Sequence, residues 1–376
     1  MITHGFSRAP LSRRRFLAGC SLTLAACASG NAAPAPPAGD RAPEARFYDR
    51  LKNGTVRCRL CPRDCIIPPG RAGFCRVREN QNGTLRSRVY GRPVVRHADP
   101  VEKKPFFHVW PGTQTFSLAT VGCNMACAFC QNYDIATATP DEIHAPFLPP
   151  ATLASQARAA GCRSIAFTYS EPIVFYEYMA DCARAARDLG LGRLMISNGF
   201  IQAEPLRDLL PLLTAVKIDL KSFEEEFYRR VCNGRLQPVL DTLTRIRDAG
   251  VWLEVVTLLI PGLNDSTETL KRLAGWLAGR LSPDVPFHLS RFHPAYKMRH
   301  LPPTPYASLL RARELARQEG CRFVYLGNAP GLGGEATLCP GCGAPVVTRH
   351  GYRVDAIRLQ NGACPECGKP VPGLWR

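Results

Sequence analysis

The feature that most constrains this 376-residue chain is its seventeen cysteines, because eleven of them stand in three tight groups. These are Cys58, Cys61, Cys65 and Cys75; then Cys123, Cys127 and Cys130; then Cys339, Cys342, Cys364 and Cys367. Spacings of two or three residues let neighbouring thiolates converge on one metal centre, and a chain this long does not resemble a small disulfide scaffold. Metal sites are therefore expected before disulfides. Cys162, Cys182, Cys232 and Cys321 stand apart and read as inert core thiols.

The groups sit in a recognisable frame. TFSLATVG (115–122), SIAFTY (164–169), RLMISN (193–198), AVKIDL (215–220), WLEVVTLLI (252–260), FHLSRF (287–292) and RFVYLG (322–327) are apolar runs separated by helical patterns. Pro149-Pro150 followed by ATLASQARAAG reads as one helix start. Nearly continuous apolar strands alternating with helices predict an α/β fold, a partial (β/α)6-type parallel barrel, with a Cys-rich N-terminal module and a zinc-ribbon-like C-terminal tail. The expected divisions are a signal at 1–27, a tether at 28–46, the N-terminal module at 47–113, the core at 114–330 and the tail at 331–376. No run reaches the ~18–20 apolar residues of a membrane-spanning helix. In such folds, sites gather at the carboxyl ends of the strands.

The central group occupies one of those ends. Cys123-Asn-Met-Ala-Cys127-Ala-Phe-Cys130 directly follows the first strand, and Gly122 lets the backbone bend away from it. Three thiolates can ligate three irons of a [4Fe–4S] cube and leave the fourth iron open. S-adenosylmethionine (SAM) can occupy an open iron through its amino and carboxylate groups, and an electron can then break its sulfur–carbon bond to release a 5′-deoxyadenosyl radical. The competing reading is a structural zinc site with His108 or His144 as fourth ligand.

These residues resemble the radical SAM superfamily over roughly residues 114–330. The resemblance implies SAM contacts at later strand ends: Glu171 in TYSEP (168–172) for the amino group, and Ser197 and Asn198 for ribose or carboxylate. Asp219 and Lys221 resemble the DxK element of the pyruvate formate-lyase activating enzyme group. IPGLND (260–265) resembles the segment that approaches adenine, with the Phe129 backbone contributing. Tyr169-Ser170 stands where related enzymes carry a glycine pair. His288, His293 and Tyr296 are expected to shape the substrate cavity, and no catalytic side chain is singled out.

The flanking groups differ in character. Cys339-Pro-Gly-Cys342-Gly and Cys364-Pro-Glu-Cys367-Gly are two knuckles suited to a four-thiolate mononuclear site, zinc first and rubredoxin-type iron second. Cys58, Cys61, Cys65 and Cys75 are either a second metal centre or thiols, reduced or disulfide-linked, bracing a Pro/Gly-rich loop. The run CRLCPRDCIIPPGRAGFCRVREN, with VGCNMACAFCQN, TYSEP, SRFHP and CPGCG…CPECG…PGLW, resembles the AmmeMemoRadiSam-system radical SAM enzymes from about residue 47 onward. That resemblance implies an external electron donor and Memo-like and AMMECR-type protein partners, with the substrate open. A glycyl-radical activase and a non-catalytic iron–sulfur electron carrier are the alternatives.

The formal charge of +17 is spread along the chain, and only Arg349, His350, Tyr352 and Arg353 lie near the C-terminal knuckles, so no nucleic-acid partner is expected. Ser-Arg-Arg-Arg-Phe-Leu (12–17) and the apolar stretch after it have the layout of a twin-arginine signal, with Cys27 the better lipidation candidate. Export as a membrane-anchored lipoprotein is expected if that signal works, and a cytoplasmic location if it does not.

Overall fold

The apolar runs assemble into one eight-stranded sheet in the computed structural model, which describes residues 42–376. Its strands are β1 (Val95–Pro100), β2 (Gln114–Ala119), β3 (Ser164–Phe167), β4 (Gly192–Ser197), β5 (Ala215–Asp219), β6 (Trp252–Leu259), β7 (Phe287–Arg291) and β8 (Val324–Gly327). They lie across the sheet in chain order. The β1–β2 pairing is antiparallel, and every later pairing is parallel. The result is the expected α/β architecture, a (β/α)6-type partial barrel with one extra strand at each edge.

Helices α1 (Pro150–Ala159), α2 (Tyr176–Asp188), α3 (Ala203–Leu209), α4 (Leu236–Asp248), α5 (Thr267–Trp276) and α6 (Tyr306–Gln318) make the return connections. Each has a local cause. Pro150 presets the first turn of α1. Ser266 caps α5 by accepting the Thr269 amide at 3.1 Å. Leu236, Val239, Leu240, Leu243 and Ile246 recur at helical spacing and bury one face of α4. Most α2 side chains are buried because that helix is also covered from outside by the N-terminal residues.

That N-terminal part holds a small antiparallel sheet (Tyr48–Arg50, Val56–Cys58, Ile66–Ile67) and a hairpin (Arg78–Gln81 with Thr84–Ser87). Val56, Leu60, Ile67, Val77 and Leu85 join the same apolar core as the barrel helices. A buried ion pair, Arg78 to Glu177 of α2 at 2.9 Å, ties the two together. Within the expected tether, the described residues lie along the hairpin: Ala45 is buried and its N–H donates to Leu85 O at 2.7 Å. The signal stretch and Cys27 lie outside the described residues. Among the described residues no helix is long and apolar enough to cross a membrane.

The inside of the barrel is filled from one end. Val101, Phe106 and Val109 pack on Ala166, Leu194, Ile196 and Ala215. The C-terminal tail closes over them, with Trp110 N–H donating to Leu374 O and Leu374 N–H to His108 O, both at 2.7 Å. A C-terminal sheet (Thr337–Leu338, Pro345–His350, Arg353–Ile357) packs Val346 and Val371 against Phe323 and Tyr325 beside β8. The other end of the barrel stays open.

Candidate active site at the carboxyl ends of the strands

A cleft of about 1160 Å³ occupies that open end. Cys123, Cys127, Cys130, Phe129, Glu171, Ser197, Asn198, Asp219 and Lys221 all line it, although they come from four different strand ends. Gly122 makes the departure from β2 possible. Its φ is +95°, and a Cβ there would meet Val77 Cγ1 at 2.6 Å and Cys75 O at 2.7 Å. Any larger residue would push the cysteine loop off the Cys75–Val77 segment.

The loop is held from several sides. Ala126 and Ala128 donate their N–H groups to the carbonyls of Cys232 and Val231, each at 2.9 Å. Asn198 donates to Asn124 Oδ1 at 2.8 Å and points the same amide at Cys123 Sγ, 3.9 Å away. Burial pushes the Cys123 thiol well up and the Cys130 thiol up to about 11. Cys127 behaves differently: a hydrogen bond from the Cys232 thiol holds it below the usual thiol range, against the effect of burial. Sequence spacing had left Cys232 among the isolated core thiols; only the fold brings it to Cys127.

Glu171 links two strand ends. Its carboxylate accepts Ser197 Oγ at 2.7 Å, Asn198 N at 2.8 Å and Ile173 N at 3.2 Å. Burial nevertheless raises its pKa to about 7, because those donors only partly offset the loss of water. Three donors leave roughly one of its four lone-pair sites free for a ligand in the cleft. At the next strand end, burial would raise Asp219, but Lys217 and Lys221 outweigh it and keep it ionised. Lys221 also stands over the Phe129 ring at 5.6 Å.

Tyr169 adopts φ 63°, the left-handed conformation that a glycine would accept without strain. It is held there by its own side chain, which hydrogen-bonds Asp99 and lies 3.2 Å from Lys104 Nζ, while Asn132 donates to its carbonyl at 2.9 Å. The backbone shape of a glycine is thus kept by a tyrosine with partners.

Other expectations land elsewhere. His108 has both ring nitrogens engaged, with Tyr325 OH at 2.5 Å and Pro372 O at 2.6 Å, and His144 is exposed. The zinc reading of the central group therefore loses the fourth ligand it needed from His108. His288 and His293 line the cleft, but Tyr296 does not; it stacks on Tyr133 at 4.8 Å. His288 is bonded to the buried Glu254 at 2.6 Å. The 260–265 segment supports the site from behind, with Asn264 donating to Lys221 O at 2.7 Å.

One contribution was not legible beforehand. The end of the strand Pro345–His350 and the turn after it bring Arg349, His350, Gly351 and Tyr352 to the lining of the cleft. Arg349 is buried beneath it, 3.6 Å from the equally buried Glu102, and donates to Phe107 O at 2.6 Å. The four C-terminal thiols of that sheet lie within 4.8 Å of one another, with Cys339 and Cys367 sulfurs 3.5 Å apart and those of Cys342 and Cys364 3.7 Å apart. Thiolates ~2.3 Å from one tetrahedral ion stand about this far apart, so the set fits a single metal ion.

A radical SAM superfamily model matches residues 117–274, the span from β2 to α5. A radical SAM domain implies a [4Fe–4S] cluster and SAM, and the three thiols with the polar strand ends around them fit both. Over 330 residues the chain is 43% identical to the uncharacterized protein MJ0808 of Methanocaldococcus jannaschii, covering 87% of this chain and 98% of that one. The chain belongs to the family of that archaeal protein and carries a radical SAM superfamily domain over residues 117–274. Among solved structures, a domain of a pyruvate-formate lyase-activating enzyme from Bacteroides vulgatus is 18% identical, with a TM-score of 0.40 over 44% of this chain and 99% of that one. A radical SAM methyltransferase from Sphaerobacter thermophilus is also 18% identical, with a TM-score of 0.44 over 57% and 67%.

Proposed function

We propose that this protein cleaves SAM reductively in the open cleft and uses the radical to take a hydrogen atom from a second molecule bound there. The observation that carries the reading is the meeting of three thiols with the ends of β3, β4 and β5 in one cavity. When bound, the [4Fe–4S] cluster and SAM supply the 5′-deoxyadenosyl radical. Cys123, Cys127 and Cys130 would hold the cluster. Glu171 would accept from the SAM amino group, Ser197 and Asn198 would orient its ribose or carboxylate, and the Asp219–Lys221 pair with Phe129 would close the far side. Phe129, Glu171, Ser197 and Asn198 are themselves buried, which limits the water around a reactive intermediate.

The motif run over residues 47–376 supports the finer assignment to the AmmeMemoRadiSam system, with an external electron donor and Memo-like and AMMECR-type partners. The twin-arginine layout at 12–17 supports export with Cys27 lipidated. The cleft beyond the predicted SAM residues is lined by His288, Ser290, Arg291, His293 and Asn328, which favours a polar substrate. Anaerobically reconstituted protein with dithionite and SAM is expected to form 5′-deoxyadenosine, and Cys127→Ala to abolish it. Unchanged SAM in the presence of a fully reduced cluster refutes the proposal. A deuterated candidate substrate that passes its label to 5′-deoxyadenosine identifies the second molecule, whereas a persistent glycyl radical on a partner protein makes the chain an activase.

A further inference from the structure

We propose that Cys58, Cys61, Cys65 and Cys75 hold a second iron–sulfur cluster, buried against the loop that carries Cys123. This does not depend on the reading of the central site. All four thiols are free and line one small cavity, walled by Leu60, Ile67 and Phe74. Cys58 and Cys75 are buried, so a thiolate centre there would be shielded from water.

The spacing selects the kind of centre. The C-terminal sulfurs are all within 4.8 Å of one another, as one tetrahedral ion requires. Among the described residues no other group of three or more ligand atoms is that close, so neither the N-terminal nor the central thiols meet the single-ion spacing. In a cube each thiolate binds a different iron, which sets the sulfurs wider apart than around one ion. Unlike the C-terminal thiols, the N-terminal ones are therefore not drawn together around a single point. The N-terminal group differs from the central group in having a fourth cysteine, so its cube would be fully ligated by protein.

A second observation is independent of the thiols. Arg78 is 1% exposed and lines the same cavity, with Nη1 paired to Glu177 and Nη2 bonded to Arg46 O. Among the described residues its Nε has no hydrogen-bond partner. A buried N–H is rarely left unpaired in a native protein, and the sulfurs of a cluster are acceptors that such a donor tunes. Arg63 adds a second cation at the cavity wall, 3.4 Å above the Phe74 ring, which suits a thiolate-ligated centre of net negative charge. The site abuts the central loop: Arg63 Nε donates to Asn124 O at 2.6 Å, and the Cys75 carbonyl packs on Gly122.

The test uses the full chain carrying Cys123→Ala, Cys127→Ala and Cys130→Ala together, reconstituted anaerobically with ferrous iron and sulfide. About four irons and about four acid-labile sulfides are expected to remain per chain, and to be lost when Cys61→Ser and Cys65→Ser are added. Retention of no labile sulfide in the triple variant, or a second zinc per chain in the unaltered protein, overturns the proposal. Failure of the central reading appears differently, as equal iron in the unaltered and triple-variant chains. If the triple variant does not fold, the unaltered chain decides. About eight irons falling to about four in Cys61→Ser supports the second cluster, and about four irons unmoved by Cys61→Ser overturns it.

Discussion

The Glu171 carboxylate accepts the backbone N–H of Asn198 at 2.8 Å, so the ends of β3 and β4 are joined through the residue proposed to meet the SAM amino group. Positioning and binding then fall to one side chain. Replacing Glu171 with glutamine keeps an acceptor but removes the charge. Glu171→Gln is expected to weaken SAM binding at least about tenfold while leaving iron content unchanged; each tenfold is ~1.4 kcal/mol. Equilibrium binding of SAM to the reconstituted variant checks this, and equal affinity refutes the assigned role.

The same residue predicts a pH dependence. Its pKa is raised to about 7, so its carboxyl is neutral below that value and ionised above it. SAM affinity is expected to rise from about pH 6 to about pH 8 in the unaltered protein and to flatten in Glu171→Gln. For stability the sign is opposite. A carboxyl with a folded pKa above the unfolded value favours the fold at low pH, and that contribution is lost as pH rises through about 7. Binding isotherms and denaturation midpoints across this window separate the two effects.

Cys232 is expected to tune the central site without holding it. Its thiol lies beside Cys127 and favours the thiolate there, and a donor to a cluster ligand raises the reduction potential by drawing electron density from sulfur. Cys232→Ala should keep its iron and shift the midpoint potential to more negative values. Potentiometric titration followed by EPR measures it; loss of iron in this variant would make Cys232 a ligand instead.

The Arg349–Glu102 pair lies at full burial, with Arg349 Nε and Glu102 Oε2 lacking hydrogen-bond partners among the described residues. Removing one partner leaves the other charge uncompensated, which typically costs ~3–5 kcal/mol. Arg349→Met is therefore expected to be strongly destabilising, and Arg349→Met combined with Glu102→Gln markedly less so. Chemical denaturation of the single and double variants gives the coupling directly.

The C-terminal thiols should bind one metal ion per chain. Cys342→Ser is expected to release it and to loosen the turn at 349–352 that borders the cleft. Metal analysis shows the loss, and limited proteolysis shows new cleavage near Tyr352. A variant that keeps both its metal and its protease resistance would contradict the four-thiol site.

Much of the frame was legible because its signals are local. An apolar run between turn residues makes a buried strand wherever it falls, and alternation with helical periodicity leaves a parallel sheet as the economical way to bury both faces. The Cys-x2-Cys-Gly knuckles of residues 339–343 and 364–368 announce a convergent turn in the same way, since their ligands are near neighbours in the chain. The order of Glu171, Ser197 and Asp219 along the chain, each just after or within a strand, likewise marked them as residues of one sheet end.

What the linear pattern could not carry were contacts between residues distant in the chain. Cys232 lies 105 positions from Cys127, and nothing in its own neighbourhood marks it as a partner. Tyr169 looked like a departure from a glycine pair, and only Asp99, Lys104 and Asn132, arriving from other segments, explain how a side chain is held at positive φ. The C-terminal sheet reads as a self-contained appendage, yet packing against Phe323 and Tyr325 turns its Arg349 toward Glu102 and its turn toward the cleft. Periodicity and ligand spacing are properties of a few consecutive residues and survive in the sequence alone. Which buried polar groups meet depends on how whole elements pack, and that is decided only when the chain closes on itself.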